Sequence, residues 1–519
     1  MAGDEGRWRA DFYDFTTLCG KLDGELARFG DVHERARRNG ARHGTPVITG
    51  THGRVDPRIN LFFRTGAMAG ARPATWRRYA RSLVVWLEFL AVFGRSWDEV
   101  TARDVEAFKD WRLTDLRNDE RVQPASFDAD RAALNTFYTW AGRYGVINPV
   151  PTVSGSSRRL RFEGEGLFAR SGPRDPLRPA GAARRQVKWI LRPAFEQWRD
   201  VAVRGYGFDG LRRPGWAGAS EDRDAAFVEG LYGTGLRVSE WASVLDVELP
   251  AGGYRLPKAW LAAACIKGGR EGREYRIPRS VLAWAASYAD PVEGSRAEAV
   301  RRAWHAGRYE QVTGMRIVTG YDPQRRVLHV ESGEGGGRLP LDALGPDERR
   351  LLFRRTPDGP EPLALWLSVS GLPKKAHSWQ DTIADGNARF RRAWSAAGGT
   401  GDPPLFFRAH MARHSFALKW YSVLSVVWDQ RVGGFTGEEL KDLRDQFGDI
   451  WFQLAALLGH ADPATTRDHY LEPFTSLQVD YLMSLLDEEE RTAVTALIRS
   501  VAADSRRALA GRVSPAGGR

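Results

Sequence analysis

Residues 151–185 read PTVSGSSRRLRFEGEGLFARSGPRDPLRPAGAARR. The stretch is crowded with Pro, Gly, Ser and Arg and has neither a helical nor a strand period, so it offers no face to a packed core. It divides a chain of 519 residues into two parts, each long enough for a core of its own. Residues 151–186 are therefore expected to form a basic linker, whose arginines suit a strap along a phosphate backbone.

Before the linker the apolar residues follow a helical period. TWRRYARSLVVWLEFLAVFG places Tyr79, Leu83, Leu87 and Leu90 on one face, with Arg77, Arg78 and Arg81 nearby. TARDVEAFKDWRL offers Thr101 as an N-cap, with Asp104 reaching back to it. SFDADRAALNTFYTWAGRYGVINPVP predicts a third helix, capped by Ser126 and closed by Gly145 and Pro149. A helical module over 56–150 follows, preceded by an N-terminal extension, 1–55, as a candidate arm-binding segment.

After the linker the pattern is mixed. DAAFVEGLYGTGLRVSEWASVLDV reads as two helices with a glycine break, and AAACIKGGREGREYRIP as a hairpin turning at Gly-Gly and closed by Pro278. RIVTG, RRVLHVES and LALWLSV look like strands within an insert of about 285–400. HMARHSFALKWYSVL and TGEELKDLRDQFGDIWFQLAALLGH look helical. The main body then spans 187–482, and 483–519 form a C-terminal helix and tail. Val494, Leu497, Ile498 and Val501 share a face of that helix, to be buried on its own domain or on a neighbouring protomer.

Lys+Arg number 76 against 65 Asp+Glu, a net charge of +11, which favours a polyanionic partner such as nucleic acid. The two cysteines, Cys19 and Cys265, allow neither a disulfide framework nor a cysteine zinc site. The opening MAGDEGRWRADFYDF lacks the apolar core of a signal peptide, and no apolar run is long enough to span a bilayer. The expectation is a cytoplasmic, nucleoid-associated protein of a GC-rich bacterium, with no membrane.

Singly, the polar candidates are ordinary. Arg237 in TGLRVSE could be a surface arginine paired with Glu240, and Lys267 a solvated hairpin residue. His410 and His414 have the spacing of a zinc helix. Met411 stands where a zinc hydrolase would carry its glutamate, and no evident further ligand lies nearby, so no metal is expected.

In order, the set is specific. TGLRVSE, a lysine on a glycine-turn hairpin, HMARHSFA, LLGH and TTRDHYLEP together resemble the catalytic domain of the tyrosine recombinase/integrase family. RYARSLVVWLEFL and ALNTFYTWAGRYGVINPVP resemble that family's core-binding domain. The resemblance implies a multidomain, mainly α fold with small β-sheets: a helical, SAM-like core-binding domain followed by an α+β catalytic domain. It implies catalytic roles for Arg237, Lys267, His410, Arg413, His460 and Tyr470, with Glu240 supporting and Arg77, Arg78 and Arg81 on DNA. His469 occupies the tyrosine's more common register, and Tyr421 is the other tyrosine near the motif.

These residue types suit a phosphodiester. Its transition state gathers negative charge on nonbridging oxygens, and arginine offers fixed, permanently charged donors for them. A phenol with a pKa near ~10 needs a cationic pocket and a base, here His410, to become a nucleophile. The leaving 5′-oxygen needs a proton, here from Lys267. His460 would donate to the phosphate or orient the nucleophile. The covalent phosphotyrosine keeps the bond energy, so neither ATP nor any cofactor is expected. The partners implied are double-stranded recombination sites and further copies of the chain, as a dimer or tetramer on DNA. The alternatives are a type IB-like topoisomerase and a catalytically inactive architectural DNA-binding protein.

Overall fold

Where the apolar period is strongest, helices form. The computed structural model of the chain describes residues 7–14, 32–147, 179, 189–218, 220–250, 257–267, 271–331, 336–432, 450–459, 463 and 508–509, and divides into two units, Met1–Arg185 and Gln186–Arg519.

The first unit is built on α1 (Pro73–Val92), α2 (Ala102–Leu113) and α3 (Pro124–Arg143). Trp76, Ala80, Leu83, Leu87 and Leu90 line the inner face of α1 at three- and four-residue spacing. They meet Phe108 of α2 and Phe127, Leu134, Phe137 and Ala141 of α3 in one core. Burial of each large apolar side chain contributes about 1.5–3 kcal/mol. Trp86 donates to the Tyr138 hydroxyl at 2.9 Å, which donates in turn to the Trp97 carbonyl, so the core's polar atoms are satisfied. The Thr101 backbone N–H donates to Asp104 Oδ2 at 2.7 Å, as the sequence suggests. Helix α3, however, starts at Pro124 with Gln123 as its N-cap, not at Ser126. Proline is pre-set for the first helical turn and lacks the N–H that would be orphaned there. A two-stranded sheet, β1 (Arg9–Phe12) antiparallel to β2 (Pro46–Thr49), packs on this bundle.

In the second unit α4 (Arg192–Ala202), α5 (Glu221–Thr234), α6 (Val238–Trp241), α7 (Arg279–Ala289), α9 (Ser378–Ala396) and α10 (Ala409–Val432) enclose or adjoin an aromatic core. Phe227 stacks on Trp379 with centroids 3.4 Å apart, and Trp366 donates to the Trp241 carbonyl at 2.9 Å. Trp366 lies in LALWLSV, which is buried from Leu363 to Leu367 but joins its neighbours through isolated bridges rather than as a strand. The hairpin pairs β4 (Lys258–Leu261) with β5 (Arg273–Arg276), Lys258 opposite Arg276. Its first strand therefore precedes the stretch read as a hairpin, and a short 3-10 turn, Ala263–Cys265, follows it.

The insert carries α8 (Ser295–His305) and a five-stranded sheet: β6 (Arg316–Asp322), β7 (Val327–Val330), β8 (Gly337–Pro340), β9 (Leu352–Thr356) and β10 (Gly359–Pro362). The strand order is β10-β9-β6-β7-β8, with β6 and β9 parallel and the other neighbours antiparallel. Helix α7, which overlaps the start of the span expected of the insert, and α9, inside it, place Val281, Tyr288, Trp379 and Phe390 in the main core. Helix α11 (Ile450–Leu458) packs on α10 through Leu454 and Leu458. β11 (Ala508–Leu509) runs parallel to β3 (Trp189–Ile190) of its own unit. The linker, apart from Pro179, and the C-terminal helix and tail expected over 483–519, apart from Ala508–Leu509, lie outside the described residues. No described helix is long and apolar enough to cross a membrane.

Candidate active site

The site begins where α5 ends. Gly235 takes a left-handed conformation, φ 65°, and its N–H closes the helix onto the Leu231 carbonyl. A side chain at Gly235 would come within 2.5 Å of the Phe416 ring on α10, so both conformation and close packing require glycine. The chain turns there and presents Arg237 as the N-cap of α6.

Glu240, fully buried one turn on, accepts from the Arg237 backbone N–H at 2.9 Å and from Arg237 Nη1 at 2.7 Å. Across the hairpin, Arg273 brings Nη2 to within 3.4 Å of Glu240 Oε2, the oxygen that also accepts from the Arg237 backbone N–H. Arg413, buried on α10, donates from Nη1 to the Gly235 carbonyl and from Nη2 to the Leu458 carbonyl, each at 2.7 Å. It thus ties the end of α5 to the end of α11. Gly459 follows at φ 67°, and a Cβ there would stand 2.0 Å from Arg273 Nε. Three guanidiniums from distant segments therefore gather around one carboxylate.

The charges do not balance. Burial opposes ionisation of Glu240, but Arg273, the Arg237 backbone N–H, Arg237 and Arg413 hold its carboxyl below the usual range. Burial depresses Arg273, Glu240 opposes this, and Arg413 and Arg237 push the same way as burial, leaving its guanidinium at about 10. Arg273 is still a cation at neutral pH, and its Nε and Nη1 are buried without a hydrogen-bond partner among the described residues. Buried donors left unmade are costly, and a net-positive pocket is an anion site.

The structure thus brings together Arg237, Glu240 and Arg413 of the expected set. His410 is exposed on the first turn of α10, one turn before Arg413. Lys267 is exposed between β4 and β5, two residues past Cys265. His460 and Tyr470 lie outside the described residues, although Gly459 immediately precedes His460 in sequence. Arg77, Arg78 and Arg81 are exposed on α1 and line an open groove of about 470 Å³. Arg112 and Asp130, paired at 3.1 Å, also line the groove, so its excess charge comes from the three outer arginines. Arg273 is the residue that sequence reasoning missed. The signal was strand alternation: in REYR, Arg273 shares a face with Tyr275, whose ring is buried.

Residues 59–145 match the family model described as phage integrase, N-terminal SAM-like domain. The chain is similar to XerH site-specific recombinase bound to a palindromic difH substrate in a post-cleavage complex. The identity is 12%, covering 81% of this chain and 82% of that one, with a TM-score of 0.42. It is also similar to the Tn1549 transposon integrase in complex with a circular intermediate DNA, at 13% identity, covering 80% and 94%, with a TM-score of 0.39. No curated protein matches the chain.

Proposed function

We propose that the chain is a site-specific DNA recombinase of the tyrosine type, the integrase or transposase of a mobile element, acting through a 3′-phosphotyrosine. The observation that carries this is the cluster of Arg237, Arg273 and Arg413 around the buried Glu240, at the base of the segment leading to His460 and Tyr470. The integrase-type SAM-like domain upstream supports a recombinase over a type IB-like topoisomerase.

In this reading the arginines face the nonbridging oxygens of a phosphodiester, where the transition state concentrates charge. The Tyr470 oxygen forms a bond to phosphorus as the bond from phosphorus to the 5′-oxygen breaks. His410 takes the phenol proton, and Lys267 gives a proton to the departing 5′-oxygen. Reversal onto a different 5′-hydroxyl completes strand exchange. The substrates are double-stranded sites, and exchange between two of them calls for several copies of the chain.

Tyr470→Phe, offered a nicked suicide duplex, should give no covalent protein–DNA band while still binding DNA. A band that survives assigns the nucleophile elsewhere, with Tyr421 on α10 next to test.

A further inference from the structure

A two-stranded hairpin is marginal alone in water, yet β4–β5 must hold Lys267 within reach of a leaving oxygen. The insert supplies what the hairpin lacks. Asp342, on the turn after β8, accepts from Trp260 Nε1 on β4 at 2.8 Å and from the Ala263 backbone N–H at 3.2 Å, both through Oδ1. Its other oxygen lies 3.5 Å from Arg326 Nε, and the Arg326 guanidinium covers the Trp260 ring at 4.0 Å. Arg326 does this at φ 54°, a conformation rare for a side chain of its size and typical of sites where geometry is enforced.

Two further contacts hold the same junction. Cys265, two residues before Lys267, directs its thiol at the Leu344 carbonyl at 3.7 Å. Gly272, just before β5, lies so close that a Cβ would meet Trp260 at 2.5 Å and Asp342 at 2.7 Å. The turn bearing Asp342 is itself fixed. Buried Arg349 donates to the Leu344 and Leu341 carbonyls, to Glu248 and to the Ser243 carbonyl, just beyond the helix that Arg237 caps.

We propose that the insert is a brace for the lysine-bearing hairpin, with Asp342 as a positioning residue that sets Lys267 for protonation of the leaving 5′-oxygen. This rests on the recombinase reading and on Lys267 as the acid. Asp342 touches the first strand and the turn that leads to Lys267, whereas Arg273 on the second strand is held by Glu240, so the effect of the brace belongs to the leaving-group step. A proton donor matters for an alkoxide leaving group and little for a thiolate, which leaves unprotonated.

The test compares cleavage of an ordinary suicide duplex with that of one carrying a bridging 5′-sulfur at the scissile phosphate. The full-length proteins are wild type, Lys267→Ala, Asp342→Ala, Trp260→Phe and Arg237→Ala. On the oxygen substrate Lys267→Ala should be slower by about 10²–10⁴-fold. Asp342→Ala and the milder Trp260→Phe should be slower by roughly ten-fold or more, with DNA binding kept. On the sulfur substrate all three should return to within a few-fold of wild type, whereas Arg237→Ala stays slow. If Lys267→Ala is rescued and neither brace variant is, or if the brace variants are as fast as wild type on both substrates, the brace is overturned. If the brace variants are rescued and Lys267→Ala is not, Lys267 is not the acid and the proposal is overturned, although the recombinase reading stands. Failure of all three to recover overturns both assignments.

Discussion

Arg273 carries more donors than the described residues use. Its ion pair with Glu240 is shared with Arg237, and two of its buried nitrogens have no hydrogen-bond partner among the described residues. Removing one partner of a buried pair costs about 3–5 kcal/mol when the other charge is left alone, but Glu240 keeps Arg237. Arg273→Met should therefore cost less than that, about 1–2 kcal/mol, while covalent cleavage measured on the folded variant falls about 10²–10³-fold. Calorimetry beside a single-turnover assay checks this; a folded variant that cleaves at the wild-type rate would make Arg273 a scaffold residue. For Glu240 the larger effect falls on stability. Its carboxyl is depressed below the ordinary 4.5, so its contribution to stability is present above that value and is lost as pH falls through the lower folded value. Glu240→Gln should cost roughly 3 kcal/mol at pH 7, the usual loss on breaking a buried pair. Wild type and variant should converge as acid protonates the wild-type carboxyl. A gap that stays constant down to the acid transition would show that shape and not charge holds Glu240 in place.

Between elements, the end of α11 is the junction most sensitive to a single atom. Gly459 is left-handed and lies against Arg273, while Arg413 grips the preceding carbonyl. Gly459→Ala should cost roughly 1–3 kcal/mol in backbone strain and displace Arg273, so cleavage should fall as well. The displacement is checked by a double-mutant cycle: once Arg273 is Met, Gly459→Ala should cost cleavage much less, and strict additivity would separate the two residues. Such junctions mark how far the sequence could be read. The helices of the first unit were legible because α1 has an unbroken apolar face, and the Thr101 cap because its partner lies three residues on. The start of α3 was misread because serine and proline compete for nearby positions, and proline's fixed φ prevailed. The grouping of Arg237 with Glu240 was local and visible. Arg273 was hidden because its partners are 33 residues back on α6 and, on α11, nearly two hundred residues ahead. The insert sheet was legible only as strand-like pieces, since its order places β9 between β10 and β6 and no local period encodes that. LALWLSV has the sequence of a strand because a buried apolar run looks the same when it joins its neighbours only through isolated bridges.

For the whole molecule, each unit carries a distinct positive site, and the two should answer differently to salt. The arginine cluster of the second unit is partly buried and bonded to its own fold, so in the proposed reading it is weakly screened where it meets the reacting phosphate. Arg77, Arg78 and Arg81 stand exposed on α1 beside a groove whose other charged pair, Arg112 and Asp130, is internally neutral. Such a surface binds polyphosphate by releasing counterions, at a slope of about 0.9 per phosphate in a plot of log affinity against log salt. Replacing all three arginines by alanine should therefore lower that slope by about 2–3 and weaken binding most at low salt. The single-turnover cleavage rate at saturating protein should stay within a few-fold of wild type, because the chemistry is held in the other unit. Titrating fluorescent duplex across a range of potassium chloride concentrations measures the slope, and a rapid-quench assay measures the rate. An unchanged slope would remove this face from the DNA interface. A reduced slope together with a collapsed saturating rate would mean that the first unit does more than hold DNA, and that its grip sets the geometry at the scissile phosphate.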